Sequence, residues 1–290
     1  MLPFEALVTS IGSGEPSYLG FEHLVSYAPS ASVLAWTRNF NRIQAQKPLF
    51  ALADPIFAAS DPRYRPASSP PALERVSAES TLKTNQTSIP SSRPVHVYRR
   101  LPETQAEVES VASIVGVEPR LPDVLIGAAA SKAAVQKTNL EAYRYLHFAT
   151  HAAMMGEPGR VNEPFLVFNQ VGNDAGDDGL LRMSEIMDLK LNAEMVVLGA
   201  CDTGRGDLLE GDGVASLASA FQFAGAESVV LSLWELPSEA TLPFMKSFYQ
   251  NLKQGHSKAE ALQLSRDAMR SQHPDPYYWA VFALYGGSAL

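Results

Sequence analysis

Short apolar runs recur along this chain, separated by segments with the composition of helices. Residues 47–54 (KPLFALAD) and 195–199 (MVVLG) carry apolar side chains at nearly every position between their ends. Such runs are typical of parallel strands, which are buried on both faces. Strands that alternate with helices predict an α/β three-layer sandwich, with a mostly parallel central sheet and helices on both faces. Further strands are predicted at 123–127, 143–150, 164–169, 227–234 and 277–284.

Proline, glycine and capping residues mark the predicted helix boundaries. Pro102 opens a helix that stops at Gly116, the order of these residues that helices prefer. Ser257, followed by Glu260 three residues later, forms a capping-box pattern at the start of the helix 257–272. The other predicted helices run from Ser131 to about residue 140 and over 180–189, 213–225 and 237–254, while residues 22–37 predict a short strand, a turn and a helix start at Ser30 or Ser32.

Residues 60–94 interrupt this pattern. The segment is rich in Pro, Ser, Arg and Thr and has no apolar period. That composition predicts a long exposed loop prone to disorder. The predicted organisation is therefore an N-terminal part over 1–59, the loop over 60–94 and the main body of the same domain over 95–290.

Net charge and cysteine content exclude several classes of protein. The formal net charge of −8 disfavours nucleic acid and anionic membranes as partners, because both need clustered Lys and Arg. A single cysteine cannot form an intramolecular disulfide or a four-cysteine zinc site. We therefore expect a reducing, cytoplasmic setting. No secretory signal is recognisable at the N-terminus, and no run approaches the ~18 apolar residues of a membrane span.

Two predicted strands end in reactive residues. His151 follows YRYLHFAT, and Cys201 follows MVVLGA. If both strands are parallel members of one sheet, the two residues leave it at the same edge. A cysteine is a strong nucleophile only as the thiolate, which a neighbouring imidazole can generate. His151 lies 50 residues before Cys201, the spacing of the caspase pattern, although Gly199 stands where that pattern has Gln.

The sequence gives less support to a metal site or to other enzyme classes. His147 lies four residues before His151 and would point the same way on a strand, as in a two-histidine metal site. There is no third ligand in the pattern and no HExxH helix, so we predict no metal and assign His147 to packing or to orienting the site. The chain also lacks a GxSxG elbow, a phosphate-binding loop and a clean GxGxxG motif, which argues against a serine hydrolase, a P-loop NTPase and a dinucleotide enzyme. The predicted cysteine mechanism needs no cofactor.

Several segments together resemble the CHAT family, caspase-like domains often found with tetratricopeptide repeats and related to separase. The similarity covers nearly the whole chain outside the 60–94 loop. It is carried by YRYLHFATHA (143–152), EMVVLGACDTG (194–204), GDGVASLASAFQFAG (211–225), ESVVLSLW (227–234), KSFYQNLKQG (246–255), AEALQLSRDAM (259–269), YYWAVFALYGG (277–287), SYAPSASVLA (26–35) and LFALADPIF (49–57).

The resemblance implies a caspase–hemoglobinase fold and cleavage of peptide bonds. It assigns His151 as the general base and Cys201 as the nucleophile. The backbone amides of Ala152 and Cys201 would hold the oxyanion, and such donors contribute about 3–4 kcal/mol to transition-state stabilisation. It further implies a protein or peptide substrate and an activating or inhibitory partner, such as a repeat domain. Residues matching the family's substrate-binding positions are Asp202, Ser232, Leu233 and Trp234.

Three positions depart from the family pattern. Ala152 stands where Gly is common, Asp202 where Glu is common, and Ser238 where an acidic residue often follows the SLW motif. Only the amide of Ala152 is needed, and Asp for Glu is a mild change. The third departure weakens any substrate preference based on an acid at position 238.

Two groups of residues have a functional and a purely structural interpretation. Ser232, Leu233 and Trp234 match the strand that lies alongside the bound peptide in relatives, where an extended peptide could add through main-chain hydrogen bonds. Trp234 is equally well explained as a core residue. Acidic residues crowd two loops, and an acid in the pocket would favour Arg or Lys at the cleavage position. For any single one of them, a solvated loop is the simpler explanation. They are Asp174, Asp177, Asp178, Asp202, Asp207, Glu210 and Asp212.

The sequence thus predicts a cysteine endopeptidase and leaves two alternatives. One is a non-catalytic caspase-like module that binds a partner, against which the intact His and Cys pair counts. The other is a small-molecule amidase or hydrolase on an open α/β sheet.

Overall fold

A computed structural model describes residues 3–11, 15–39, 44–65, 98–155, 163–199 and 211–287. The strands are β1 (Val8–Ser10), β2 (Ser17–Tyr18), β3 (Lys47–Ala53), β4 (Val124–Ile126), β5 (Tyr143–Ala149), β6 (Ala152–Met155), β7 (Glu163–Val167), β8 (Leu180–Arg182), β9 (Met195–Leu198), β10 (Ser228–Ser232) and β11 (Phe282–Gly286). The α-helices are α1 (Leu19–Glu22), α2 (Ala31–Asn39), α3 (Pro102–Val115), α4 (Lys132–Lys137), α5 (Met183–Met187), α6 (Gly211–Phe223), α7 (Ser238–Lys253), α8 (Lys258–Gln272) and α9 (Pro276–Trp279).

Six strands form the central sheet, in the order β11-β10-β9-β5-β3-β4. All neighbours pair in parallel except β11, which runs antiparallel to β10. The predicted mostly parallel sheet is therefore confirmed. β5 lies in the middle, with β9 on one side and β3 on the other. The loops that follow these three strands therefore begin at the same edge of the sheet.

Alternate side chains of β5 enter two different cores. Leu146 and Phe148 pack into the cluster formed with α4, α5 and α6, whereas Tyr145 and Ala149 pack into the cluster formed with α3, α7 and α8. Successive residues of a strand point to opposite faces. Both faces of the sheet are therefore covered by helices, which confirms the predicted three-layer sandwich.

Helix ends follow the predicted capping residues. Pro102 is the first residue of α3, and Gly116 ends it with a φ of 81°, a backbone conformation that suits glycine. Ser257 and Glu260 form the reciprocal capping box of α8. Ser131 caps α4 by accepting a hydrogen bond from the amide of Ala134. Local side-chain chemistry decides these boundaries, which is why the sequence predicts them.

Two predicted elements were wrong in type. Residues 180–189 were expected to form one helix, but they begin with strand β8 and only then form α5. Leu181 of β8 is fully buried and pairs with β7, so cross-strand packing overrides helix propensity there. The predicted strand 277–284 begins instead as helix α9, because the Asp275 side chain accepts a hydrogen bond from the amide of Tyr277, and the strand is shifted to β11.

A small antiparallel sheet was not predicted as such. Its strands are β6, β7 and β8, and β6 begins one residue after His151. The short strand expected early in residues 22–37 is not formed, but α2 begins after Ser30, as predicted, and the Ser30 hydroxyl accepts a hydrogen bond from the amide of Val33. The small sheet bears directly on the site because it fixes the chain that leaves β5.

The N-terminal part contributes an interior strand to the sheet. β3 pairs with β5 on one side and with β4 on the other. Most of the predicted loop, residues 66–94, lies outside the described residues, so the division at 60 and 94 stays a prediction. Over the ranges that the structure does describe, no helix is long and apolar enough to cross a membrane.

A buried ion pair joins the N-terminal segment to α8. The Arg266 guanidinium donates to Glu5 at 2.9 Å and to the carbonyl oxygen of Phe282 at 2.7 Å, and the Tyr27 hydroxyl donates to the other Glu5 oxygen at 2.6 Å. Glu5 and Arg266 are almost completely buried. Removing one member of such a pair leaves an uncompensated buried charge.

We therefore expect Arg266→Met to lower the free energy of unfolding by about 3–5 kcal/mol, because the Glu5 carboxylate loses its cation. The double variant Glu5→Gln/Arg266→Met should regain most of that loss, since neither charge remains. Urea denaturation measures both. Equal destabilisation of the single and double variants would show that packing, rather than the stranded charge, matters here.

Candidate active site

His151 lies at the carboxyl edge of the sheet, two residues after the end of β5. Its backbone is held by the small sheet, since its carbonyl oxygen accepts from the amide of Val167 at 2.9 Å. The hydroxyl of the preceding Thr150 donates to the carbonyl oxygen of Val167. Val167 of β7 thus fixes the backbone at Thr150 and His151, and the imidazole projects from that fixed backbone.

The His151 side chain is buried and oriented by a backbone carbonyl. Nε2 lies 2.6 Å from the carbonyl oxygen of Arg99, a residue 52 positions earlier in the chain. A carbonyl oxygen only accepts hydrogen bonds, so Nε2 carries the proton. In the neutral ring, Nδ1 is then the nitrogen with the lone pair.

Two aromatic rings flank the imidazole. The ring centroid of Phe57 lies 5.0 Å from that of His151, and that of Tyr98 lies 5.6 Å away. Burial raises the pKa of the Tyr98 hydroxyl, so the flanking phenol stays neutral. The sequence contained no signal for either neighbour, because Phe57 and Tyr98 come from the two sides of the long predicted loop.

The register of β5 and β9 gives the sequence offsets of His151 and Cys201 from a paired position. Phe148 of β5 pairs with Leu198 of β9. His151 and Cys201 each lie three residues beyond this pair, since 151 − 148 and 201 − 198 are both 3. Neighbouring strands are about 4.8 Å apart. Cys201 itself lies outside the described residues, as does Asp202.

Two buried polar partners hold the His147 side chain. Its side chain is fully buried, with Nε2 at 2.9 Å from Glu107 Oε1 and Nδ1 at 3.0 Å from the Tyr249 hydroxyl. Burial raises the pKa of Tyr249 well above its usual value, so this hydroxyl keeps its proton. Within the described ranges, no three His, Cys, Asp or Glu side chains are grouped to hold a metal ion.

The His147 and Glu107 pair abuts the end of β9. A Cβ atom at Gly199 would lie 2.8 Å from Glu107 Oε1 and 3.2 Å from His147 Nε2. Position 199 therefore accepts only glycine without a shift of these groups. Because Gly199 directly follows β9, the buried pair limits which residue can stand at the end of that strand. Glu107 is another residue that sequence reasoning missed.

A cleft of about 400 Å³ opens beside this edge. Glu107 and Gly199 line it, together with the start of α3 and the segment that follows β10. The charged side chains that line it are Arg99, Glu103, Glu107, Glu235 and Glu239. Arg99 and Glu235 form an exposed ion pair at 2.9 Å across it. Among the described residues of the cleft wall, carboxylates thus outnumber cations.

The predicted substrate-binding residues flank the cleft. Ser232 is the buried last residue of β10, and the amide of Leu233 donates to the carbonyl oxygen of Val281 at 2.8 Å. Trp234 is partly buried, stacks on Tyr277 at 6.2 Å and donates to the carbonyl oxygen of that residue at 2.9 Å. β10 has neighbours on both sides, so a peptide could add only beyond Ser232.

The remaining predicted site residues divide between described and undescribed parts of the chain. Ala152 is the buried first residue of β6, directly beyond His151. Asp178 pairs with Arg182 at 2.6 Å, and Asp177 accepts from the amide of Gly179 at 2.8 Å, so both belong to a structured turn that also contains Asp174. Asp207 and Glu210 fall outside the described residues, as does the side chain of Asp212.

Comparison with known proteins identifies the family. The sequence profile of the CHAT domain matches residues 1–287. The chain belongs to the CHAT domain family. Tetratricopeptide repeat protein 28 from Homo sapiens is 28% identical over 218 residues, which cover 64% of this chain and 8% of that protein. The Mus musculus protein of the same name is 27% identical over the same shares. This CHAT chain therefore spans about 8% of the length of these curated relatives.

Solved structures similar to this CHAT domain include a cysteine proteinase and a separase complex. The Arg-specific cysteine proteinase gingipain R aligns with a TM-score of 0.42 and 10% identity, covering 65% of this chain and 41% of that one. The Saccharomyces cerevisiae separase–securin complex aligns with a TM-score of 0.38 and 13% identity, covering 63% of this chain and 11% of that one.

The close approach at Gly199 can be tested by mutation. Gly199→Ala should lower the free energy of unfolding by about 1–3 kcal/mol, because the new methyl group overpacks against Glu107 and His147. Glu107→Ala removes the crowding carboxylate. The double variant should therefore lose less stability than the sum of the two single losses, as measured by urea denaturation. Strict additivity would mean that the two side chains do not meet.

Proposed function

We propose that this CHAT domain is a cysteine endopeptidase that cleaves a protein substrate. One observation carries the proposal. The His151 imidazole is held at the carboxyl edge of the sheet by the carbonyl oxygen of Arg99, at the end of the strand that pairs with β9, the strand leading to Cys201. A histidine oriented by a third group beside a nucleophile is the arrangement that activates a thiol.

The orientation of the imidazole supports a specific role for each ring nitrogen. Nε2 donates to Arg99, so Nδ1 is the proposed base that takes the thiol proton of Cys201. Cys201 and His151 lie the same number of residues beyond a registered pair on adjacent strands. That equal offset supports a short path for the proton between them.

The proposed reaction proceeds through an acyl-enzyme. The thiolate of Cys201 attacks the scissile carbonyl carbon, and the negative charge of the tetrahedral intermediate develops on the carbonyl oxygen. The C–N bond then breaks as the imidazolium of His151 gives its proton to the leaving amine, which produces a thioester. Water attacks the thioester and gives a proton to His151, and collapse of the tetrahedral intermediate releases the acid and regenerates the thiolate beside the imidazolium.

Backbone amides are the proposed oxyanion donors. The amide of Ala152 follows His151 directly, and β6 and β7 fix that part of the backbone through their pairing. The amide of Cys201 is the second proposed donor. Donors of this kind contribute about 3–4 kcal/mol to the transition state when they are already in position.

The cleft beside Gly199 is the proposed pocket for the substrate residue before the scissile bond. Trp234 and Tyr277 form one wall, and the hydroxyl of Tyr277 donates to the carbonyl oxygen of Glu235 at 2.7 Å. Glu103, Glu235 and Glu239 supply negative charge, which the single guanidinium of Arg99 does not balance. The expected preference is therefore for Arg or Lys, and the substrate would be a protein carrying one in an extended segment.

The relatives suggest how such a peptidase could be regulated. They are named as tetratricopeptide repeat proteins, and this chain matches only 8% of their length. We propose that a repeat domain, in the same protein or as a partner, controls access of substrate to the site. A non-catalytic interaction module is the competing proposal, and comparison of the chain with Cys201→Ala distinguishes it from a peptidase.

The first experiment compares the purified chain with Cys201→Ala on a mixed peptide library. The unmodified chain should cleave and the variant should not, because no other thiol is present to replace the nucleophile. His151→Gln should be equally inactive, since the thiol loses its base. Cleavage by Cys201→Ala at the original rate would refute the cysteine mechanism.

If neither protein cleaves, labelling with a thiol-reactive peptide warhead separates the remaining outcomes. The chain has one cysteine, so any label reports Cys201 alone. Labelling that depends on His151 would mean that the site is competent and lacks an activating partner. Labelling at the rate of an ordinary exposed thiol, unchanged in His151→Gln, would support the non-catalytic module.

The acidic cleft predicts the residue before the cut. Glu103→Gln and Glu239→Gln should each lower kcat/KM for a peptide with Arg at that position by about 1.4- to 5-fold, since partly exposed ion pairs contribute about 0.2–1 kcal/mol. Peptides with a neutral residue there should change little. Glu118→Gln is the matched control, because Glu118 pairs with Arg120 beyond the end of α3. Equal effects on Arg and neutral peptides would place the pocket elsewhere.

A further inference from the structure

Asp54 has a strained backbone at the carboxyl edge of the sheet. It directly follows β3, and its φ of 43° lies in the left-handed region that residues other than glycine seldom occupy. The next residue is Pro55, and a residue before proline favours extended backbone. Strain of this kind persists only where the surroundings hold the residue in place, and it is concentrated at functional sites.

Two arginines hold the Asp54 carboxylate, whose side chain is fully buried. Arg63 donates to it at 2.6 and 3.3 Å, and Arg100 donates from Nη2 at 2.8 Å and from Nε at 3.2 Å. The hydrogen bond to Asp54 is the main cause that raises the pKa of the Arg100 guanidinium. Arg63 and Arg100 lie on opposite sides of residues 66–97, so one carboxylate anchors both flanks of that segment.

The backbone of Asp54 anchors the start of α3 as well. The amide of Asp54 donates to the Thr104 hydroxyl at 3.0 Å, and that hydroxyl donates to the carbonyl oxygen of Leu101 at 2.7 Å. Arg100 is thus tied to Asp54 directly, and Leu101 is tied to it through the Thr104 hydroxyl. The residue immediately before them is Arg99, whose carbonyl oxygen orients His151.

We propose that Asp54 is a positioning residue for His151, acting through Arg100 to fix the carbonyl oxygen of Arg99 on Nε2. The proposal rests on the proposed peptidase function for its kinetic consequence, but the orientation of the imidazole can be measured without any activity. Asp54 does not touch the reacting atoms. Its effect is to keep the neutral ring in the form with the proton on Nε2, so that Nδ1 is always the base.

The register of the sheet makes this route short. Ala53, the last residue of β3, pairs with Ala149, the last residue of β5. Asp54 and His151 therefore leave adjacent strands at the same edge, and the Arg99–Arg100 segment lies across both. A contact that only stabilised the loop after β3 would need Arg63, which also pairs with Asp61 at 2.7 Å, but it would not need Arg100.

The first test is an NMR measurement on the full chain labelled with ¹⁵N-histidine. The chain has six histidines, and the spectrum of His151→Gln identifies the signals of His151. In the unmodified protein, one ring nitrogen of neutral His151 should be protonated and the other not, which gives two well-separated shifts. In Asp54→Asn, the shifts should move towards each other, because the ring now exchanges between tautomers.

A matched pair of arginine variants separates positioning from general stability. Arg63→Lys and Arg100→Lys each keep the charge beside Asp54 and lose the planar donor geometry of arginine. Arg100→Lys should lower kcat about 10- to 100-fold with little change in KM, because small misplacements of catalytic groups have effects of that size. Arg63→Lys should lower it far less. If peptidase activity is absent, the pH dependence of Cys201 alkylation gives the same comparison.

Asp123→Asn is the control at the other end of β3. Asp123 precedes β4. Its side chain accepts from Lys47, the first residue of β3, at 2.9 Å, and from the Tyr143 hydroxyl at 2.7 Å. It should leave both the His151 spectrum and kcat unchanged. The proposal is overturned if Arg63→Lys and Arg100→Lys have equal effects, or if the His151 tautomer persists when the Asp54 contacts are lost. Should Asp54→Asn fail to fold, the two lysine variants decide the question.

Discussion

The parallel pairing of β5 with β3 and β9 is the constraint on which the rest of the site depends. It brings the ends of three strands to one edge, so that Asp54 follows β3 and His151 follows β5, while β9 leads towards Cys201. A shift of one residue in either pairing would turn every side chain of a strand to the opposite face. The two separate cores on the faces of the sheet oppose such a shift, and they thereby hold the register that the site requires.

Buried polar contacts then decide where α3 lies against this sheet. Near its start, Thr104 binds the backbone of Asp54, and one turn later Glu107 binds His147 of β5. Buried charges are costly unless they are paired, so these contacts serve geometry more than stability. Because α3 begins three residues after Arg99, its placement determines where the carbonyl oxygen that orients His151 can be.

Much of this arrangement could be predicted from the sequence. Apolar runs identified β3, β5 and β9, and capping residues identified the ends of α3 and α8. The predictions were wrong at residues 180–189 and 277–284, where cross-strand pairing and a local Asp275 cap outweighed the apolar pattern. The small sheet that fixes His151 was also missed. Its strand β7 was predicted at 164–169, but β6 and β8 carry too little periodicity to distinguish them from turns.

The sequence by itself determined the class of fold, the CHAT family and the two candidate reactive residues, because these depend on local composition and on motifs along the chain. Only the tertiary structure decided which groups surround His151 and His147. Their partners Arg99 and Tyr249 lie 52 and 102 positions away in the chain. No periodicity or spacing links such residues, since their contact arises from the packing of α3 and α7 on one sheet face. The orientation of the imidazole is therefore a property of the folded chain, set by contacts that form only when the three layers assemble.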